Sequence, residues 1–90
     1  MSPETLAPYV LRTLVQFQIQ GRVCTLQDLV DEIRARRGDI RRTVSALHRE
    51  GYVDALRMRT TLAGLALGRA ILRTTLPALR QHPASCVEAA

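Results

Sequence analysis

Residues 39–51 read DIRRTVSALHREG, and this stretch decides the fold. At 100° per residue, Ile40, Val44 and Leu47 fall within about 60° of one another on a helical wheel. Arg42, Ser45, Ala46 and Arg49 lie on the opposite side. Arg41 and His48 flank that side on one edge and Thr43 on the other. The spacing therefore predicts a helix from about Ile40 to Glu50, apolar inward and cationic outward. Asp39 reads as its N-cap and Gly51 as its stop.

The same region carries the charge of the whole chain. From Arg34 to Arg49 there are six arginines (Arg34, Arg36, Arg37, Arg41, Arg42, Arg49) against one acid, Asp39, a local excess of +5 that equals the net charge of all 90 residues. Elsewhere seven arginines and seven acids cancel. A basic excess confined to one segment is the electrostatic footprint expected of a phosphate-binding surface. All thirteen basic residues are arginine. A G+C-rich genome produces that bias as readily as function does, so the absence of lysine carries no argument.

Length and composition exclude most other classes. Ninety residues make one domain with one modest core. At 47% hydrophobic the chain is too apolar to be a disordered tail, and it is too short for a barrel enzyme or a nucleotide-binding α/β domain. The longest uncharged stretches, Thr13–Gly21 and Thr60–Gly68, have nine residues each. A membrane span needs about 20. The N-terminus starts acidic and lacks a cleavable apolar core. Two cysteines, Cys24 and Cys86, do not make a disulfide scaffold. The expectation is a cytoplasmic protein with no membrane partner.

Upstream, Thr25 and Asp28 have the spacing of a capping box that opens a second helix, whose buried stripe is Leu26, Leu29, Val30 and Ile33. Gly38 reads as its end, which places Arg34, Arg36 and Arg37 in its last turns. Leu6, Val10, Leu14 and Phe17, with Leu11 and Val15 beside them, mark a first helix over about Thr5–Gln20. Pro8 fits only its first turn, so the regular part should start near Ala7. Gly21 caps it, and Arg22–Cys24 reads as a short extended piece.

Downstream, Tyr52–Ala55 and Met58–Leu62 read as two short strands of a hairpin. Thr61 is placed to cap a last helix over Leu62–Thr75, apolar nearly all round and ended by Pro77. Such a helix needs partners on more than one side, and in so short a chain a second copy is the simplest. A folded unit over residues 1–80 and a flexible tail over 81–90 complete the expected organisation.

The order helix, helix, cationic helix, hairpin, helix resembles the winged helix-turn-helix, a mainly α fold with a small β-hairpin. Thr25-Leu-Gln-Asp-Leu-Val30 looks like the start of its scaffold helix. Thr43 to Val53, TVSALHREGYV, looks like its recognition helix running into the first wing strand. Thr60 to Leu67, TTLAGLAL, is similar to the link into the final helix of MarR- and PadR-type regulators. The resemblance covers about half the chain, Thr25 to Leu72. From Thr25 to Val44 the chain is longer than the family pattern by about one helical turn. An extended second helix or a looser turn would absorb the difference.

The resemblance implies a homodimeric repressor that occupies double-stranded DNA and needs no cofactor. Its DNA-binding residues would be Arg36, Arg37, Arg41, Arg42, Ser45, His48 and Arg49, with Arg57 and Arg59 on the wing. Arg42 and Ser45 lie deepest on the outward face and are expected to meet base edges, while Arg36, Arg37 and Arg49 suit phosphates. The dimer seam is expected at Val10, Leu14 and Phe17 of the first helix and Leu65, Ile71, Leu72 and Leu76 of the last.

Competing readings are weaker. No Cys–His–Asp grouping sits on neighbouring elements, so catalysis is not expected. Three aromatics, Tyr9, Phe17 and Tyr52, are too few for a single-stranded RNA platform. His82 and Cys86 have helical spacing for a metal, but Pro83 interrupts them and two ligands do not fill a tetrahedral site. Cys24 at a helix entry could be a thiol switch, although a small buried residue is its commoner role. The main alternative is a winged helix that binds an unknown protein partner, as an antitoxin or adaptor does. That version would show leucines or aromatics, not arginines, on the outer face of the third helix.

Overall fold

The computed structural model describes residues 2–74 and 76, and it is mainly helical with one small hairpin. Its elements are α1 (Pro3–Ile19), α2 (Leu26–Ile33), α3 (Arg37–Arg49), β1 (Val53–Asp54), β2 (Arg59–Thr60) and α4 (Leu62–Leu72). The strands pair antiparallel, with Val53 opposite Thr60 and Asp54 opposite Arg59. The mainly α composition with one small β-hairpin expected from the sequence is the one observed. The expected tail over 81–90, Pro77 as helix end, and His82 and Cys86 lie outside the described residues.

The core is organised around α1, which meets α3, α4, α2 and β2. Its buried residues, among them Leu6, Val10, Leu11, Leu14, Val15 and Phe17, point to several sides, as the width of its apolar face requires. Ser2 caps the helix by accepting from Thr5 N, with Pro3 in its first turn. The helix thus begins one turn earlier than Pro8 suggested, and Pro8 lies inside it. A proline there deletes only the bond to the Glu4 carbonyl, close to an exposed helix end, which is why the chain tolerates it.

The boundary between α2 and α3 differs most from the expectation. The left-handed residue is Arg34 (φ 61°), not Gly38, and Arg34 N donates to Val30 O at 2.8 Å to close α2. After the three-residue turn Arg34–Arg36, α3 begins at Arg37 and contains Gly38 and Asp39 in its first turn. Asp39 is therefore not an N-cap; its side chain accepts from Arg42 one turn on. Burial of both Ile33 and Ala35 drives the early turn, because a continued α2 could not put both against the core. α2 thus ends at Ile33, five residues before Gly38, and α3 starts three residues earlier than Ile40.

α4 packs by glycine. Its buried positions are Gly64 and Gly68. A Cβ on Gly68 would stand 2.4 Å from Val15 Cγ2, and one on Gly64 would stand 1.8 Å from the Tyr52 carbonyl oxygen. Val10, Leu14 and Phe17 lie in the core of the single chain and cannot form a seam with a second copy. Leu65, Ile71, Leu72 and Leu76 are half-buried, while Leu62 is 85% exposed and Leu67 40%. The apolar surface still open on α4 is thus Leu62, Ala63, Ala66, Leu67 and Ala70.

Two predictions follow from this packing and its caps. Gly64→Ala should cost about 1–3 kcal/mol, because a backbone carbonyl must move to admit the methyl group. Gly38 has nothing within 4 Å of a Cβ. Gly38→Ala should accordingly stabilise α3 by about 0.5–1 kcal/mol, and thermal denaturation distinguishes the two signs. The second concerns Asp28, whose carboxylate accepts from Thr25 N at 2.9 Å while Asp28 N donates to Thr25 Oγ1 at 3.1 Å. The Thr25 hydrogen bonds hold the Asp28 carboxyl below the usual range. Its contribution is then present above the unfolded value of about 3.9 and disappears as pH falls through the lower folded value. Asp28→Asn should melt earlier than the wild type at pH 7, and the gap should close in the acid limb of a melting series.

Candidate nucleic-acid interface

The apolar and cationic sides of α3 fall where the wheel puts them, except that Thr43, expected at the edge of the outward side, is fully buried and Ala46 is only partly exposed. Ile40, Thr43, Val44 and Leu47 are buried, and Arg41, Arg42, Ser45, His48 and Arg49 are exposed. Thr43 satisfies its hydroxyl by donating to Asp39 O at 2.8 Å, which lets a polar residue sit fully inside. The exposed arc centres on Ser45, with Arg41 one turn before it and Arg49 one turn after. These three, with Arg42, line a groove of about 540 Å³ whose far wall is Ala55 and Met58 of the hairpin.

Arg42 is more constrained than its neighbours. It pairs with Asp39, whose side chain is 8% exposed. A nearly buried carboxylate turns this guanidinium back along the helix, so the row Arg41–Ser45–Arg49 is the freer one. Arg37 donates to Gln27 Oε1, and Gln27 Nε2 donates to Asp31 Oδ1 at 2.8 Å. This relay ties the start of α3 to the outer face of α2. Arg36 is exposed at the N-cap of α3 and makes no side-chain cap bond.

His48 binds the hairpin. Its Nδ1 accepts from Ala55 N at 3.2 Å and lies 3.1 Å from the Val53 carbonyl oxygen. Although exposed, it anchors the hairpin to α3. At the other end, Gln18 Oε1 accepts from both Thr60 N at 2.9 Å and Thr60 Oγ1 at 2.7 Å, joining α1 to β2 across 42 residues. Asp54 Oδ1 accepts from Leu56 N at 3.1 Å within the turn. Two strands of two residues each are too short to hold themselves, and these side chains hold them instead.

Arg57 and Arg59 do not join the α3 groove. They line a separate pocket with Arg22 on the other side of the hairpin, and Arg57 also pairs with Asp54 at 3.8 Å. The sequence reading missed Arg22, Gln27 and the Asp39–Arg42 pair. Only the last had a local signal, an acid and a base three apart on a helix. Cys24 is buried, and burial pushes its thiol up to about 11. Among the described residues no cluster of three or more His, Cys, Asp or Glu side chains could hold a metal ion. No described helix is long and apolar enough to cross a membrane.

No family model, curated protein or solved structure matches the chain.

Proposed function

We propose that the chain is a winged helix-turn-helix protein of the MarR/PadR-like kind that binds double-stranded DNA sequence-specifically as a homodimer and acts as a transcriptional repressor, not an enzyme. The observation that carries this reading is the outward row Arg41–Ser45–Arg49 on a helix whose other side is fixed in the core. A helix of this width fits the major groove, and guanidinium and hydroxyl donors suit base edges and phosphates there. In this reading α2 is the scaffold helix, α3 the recognition helix and the hairpin a short wing. Because Arg42 is turned to Asp39, Arg41, Ser45 and Arg49 take the base-reading role, and Arg36 and Arg37 hold the backbone.

The exposed face of α4 favours a protein contact as well. Leu62 and Leu67, with Ala63, Ala66 and Ala70, make a contiguous apolar strip that a second copy would cover. This strip replaces the seam expected at Val10, Leu14 and Phe17. It is also the observation that supports the antitoxin or adaptor alternative, in which a different protein covers it.

Operators chosen by selection from genomic fragments provide the test. In fluorescence anisotropy, Arg41→Ala should lose about 1–3 kcal/mol of discrimination at one base pair. Arg37→Ala should weaken every sequence alike and reduce the salt slope by about 1. Unchanged binding in both variants would overturn the assignment of the face. Sedimentation at micromolar concentration addresses the second copy: the wild type should run as a dimer and Leu67→Arg as a monomer. A monomeric wild type would leave α4 to a different partner.

A further inference from the structure

A pocket of about 300 Å³ lies between the C-terminal end of α1, the connection into α2 and the outer side of the hairpin. Its apolar lining is open at Val23 and Met58 and closed at Leu14, Phe17 and Cys24, which are buried, and its rim carries the guanidinium groups of Arg22, Arg57 and Arg59. We propose that this pocket binds a small organic phosphate, a phosphate monoester of a flat apolar group, with the phosphate held by the three arginines and the apolar body against the apolar lining.

Three observations support the assignment. First, the cations converge from distant parts of the chain. Arg22 follows α1 and the other two flank Met58 in the hairpin, and the Gln18–Thr60 bonds hold these parts together. Second, their charge is incompletely answered. Asp54 pairs with Arg57, whereas the Arg59 guanidinium has no ion pair or hydrogen bond among the described residues. Arg22 reaches only the neutral Gln20 and lies over the Phe17 ring, 4.4 Å from its centroid. That stacking holds one guanidinium above the apolar lining. Third, Gln18 also lines the pocket, and since both hydrogen bonds to it go to its Oε1, its Nε2 has no acceptor among the described residues.

The ligand class follows from these features. A phosphate monoester carries about −1.5 to −2 at pH 7, which matches a rim left with two unanswered positive charges. Arginine forks pair with phosphate oxygens in bidentate geometry. Inorganic phosphate would leave the open Val23 and Met58 side chains of the lining wet, and a neutral aromatic would leave two guanidiniums without a counter-charge. The pocket is at the small end of the range for ligand sites, which limits the body to one or two rings.

The experiment uses the full chain carrying Cys86→Ser and contains no DNA, so it succeeds or fails independently of the duplex reading. 1-Naphthyl phosphate is titrated by calorimetry, and in parallel the rate of Cys24 alkylation by N-ethylmaleimide is followed. Saturable one-to-one binding and slowed alkylation are expected. Inorganic phosphate and 1-naphthol should each bind at least about tenfold more weakly, and Arg59→Ala and Arg22→Ala should each weaken the ester by about tenfold. Both arginines are exposed, and unchanged circular dichroism will show that these variants fold. The proposal is overturned if the ester does not saturate, if 1-naphthol or inorganic phosphate binds as tightly, or if neither arginine variant loses affinity.

Discussion

Everything at the cationic surface depends on how α3 is seated. Ile40, Val44 and Leu47 occupy a narrow arc, and only one rotation of the helix puts all three into the core beside α1. A different rotation would expose these apolar side chains or bury guanidiniums, and unpaired buried charge is far more costly than the loss of a single core contact. The outward direction of Arg41, Ser45 and Arg49 is thus a consequence of where the aliphatic side chains go. Thr43 widens the buried arc without leaving its hydroxyl unsatisfied, since the hydroxyl bonds back to the preceding turn.

The hairpin and α4 are held by different means. The hairpin has too few ladder bonds to be stable alone, so it depends on His48 from α3 on one side and Gln18 from α1 on the other. It therefore forms the far wall of the α3 groove and the near wall of the Arg22 pocket at once. α4 comes close to α1 because Gly68 presents no side chain to Val15 and Leu11, and Gly64 likewise lets it approach the Tyr52 carbonyl before the hairpin. The same choice leaves few large residues for its own burial. Its leucines and alanines consequently remain on the outside, where a second protein surface would cover them.

Periodicity made most of the framework legible, because burial on one side of a helix leaves a spacing that needs no knowledge of the partner. The stripe of α2, the Thr25–Asp28 box, the two faces of α3 and the Thr61 cap of α4 are all of this local kind. The turn before α3 is hidden in the sequence because Gly38 and Asp39 have the right chemistry for a terminator and a cap. Neither has that role here, since Ile33 and Ala35 both seek the core and force the chain to turn at Arg34. The role of Val10, Leu14 and Phe17 is not legible in the sequence, because a wide apolar face does not reveal whether its second partner comes from the same chain. In this fold α3 and α4 supply it.

The candidate site divides along the same line. By itself the sequence determined which residues of α3 share an outward face and that the basic excess is concentrated around them, since both depend only on helical geometry and on charge counted along the chain. Tertiary structure alone decided that His48 fastens the hairpin and that Arg57 and Arg59 stand with Arg22 instead of with α3. Each of these depends on side-chain direction and on which segments fold against each other. Arg22 and Arg59 are 37 positions apart in the chain, and no spacing rule brings such residues to one pocket. Packing around Gln18 and Thr60 does.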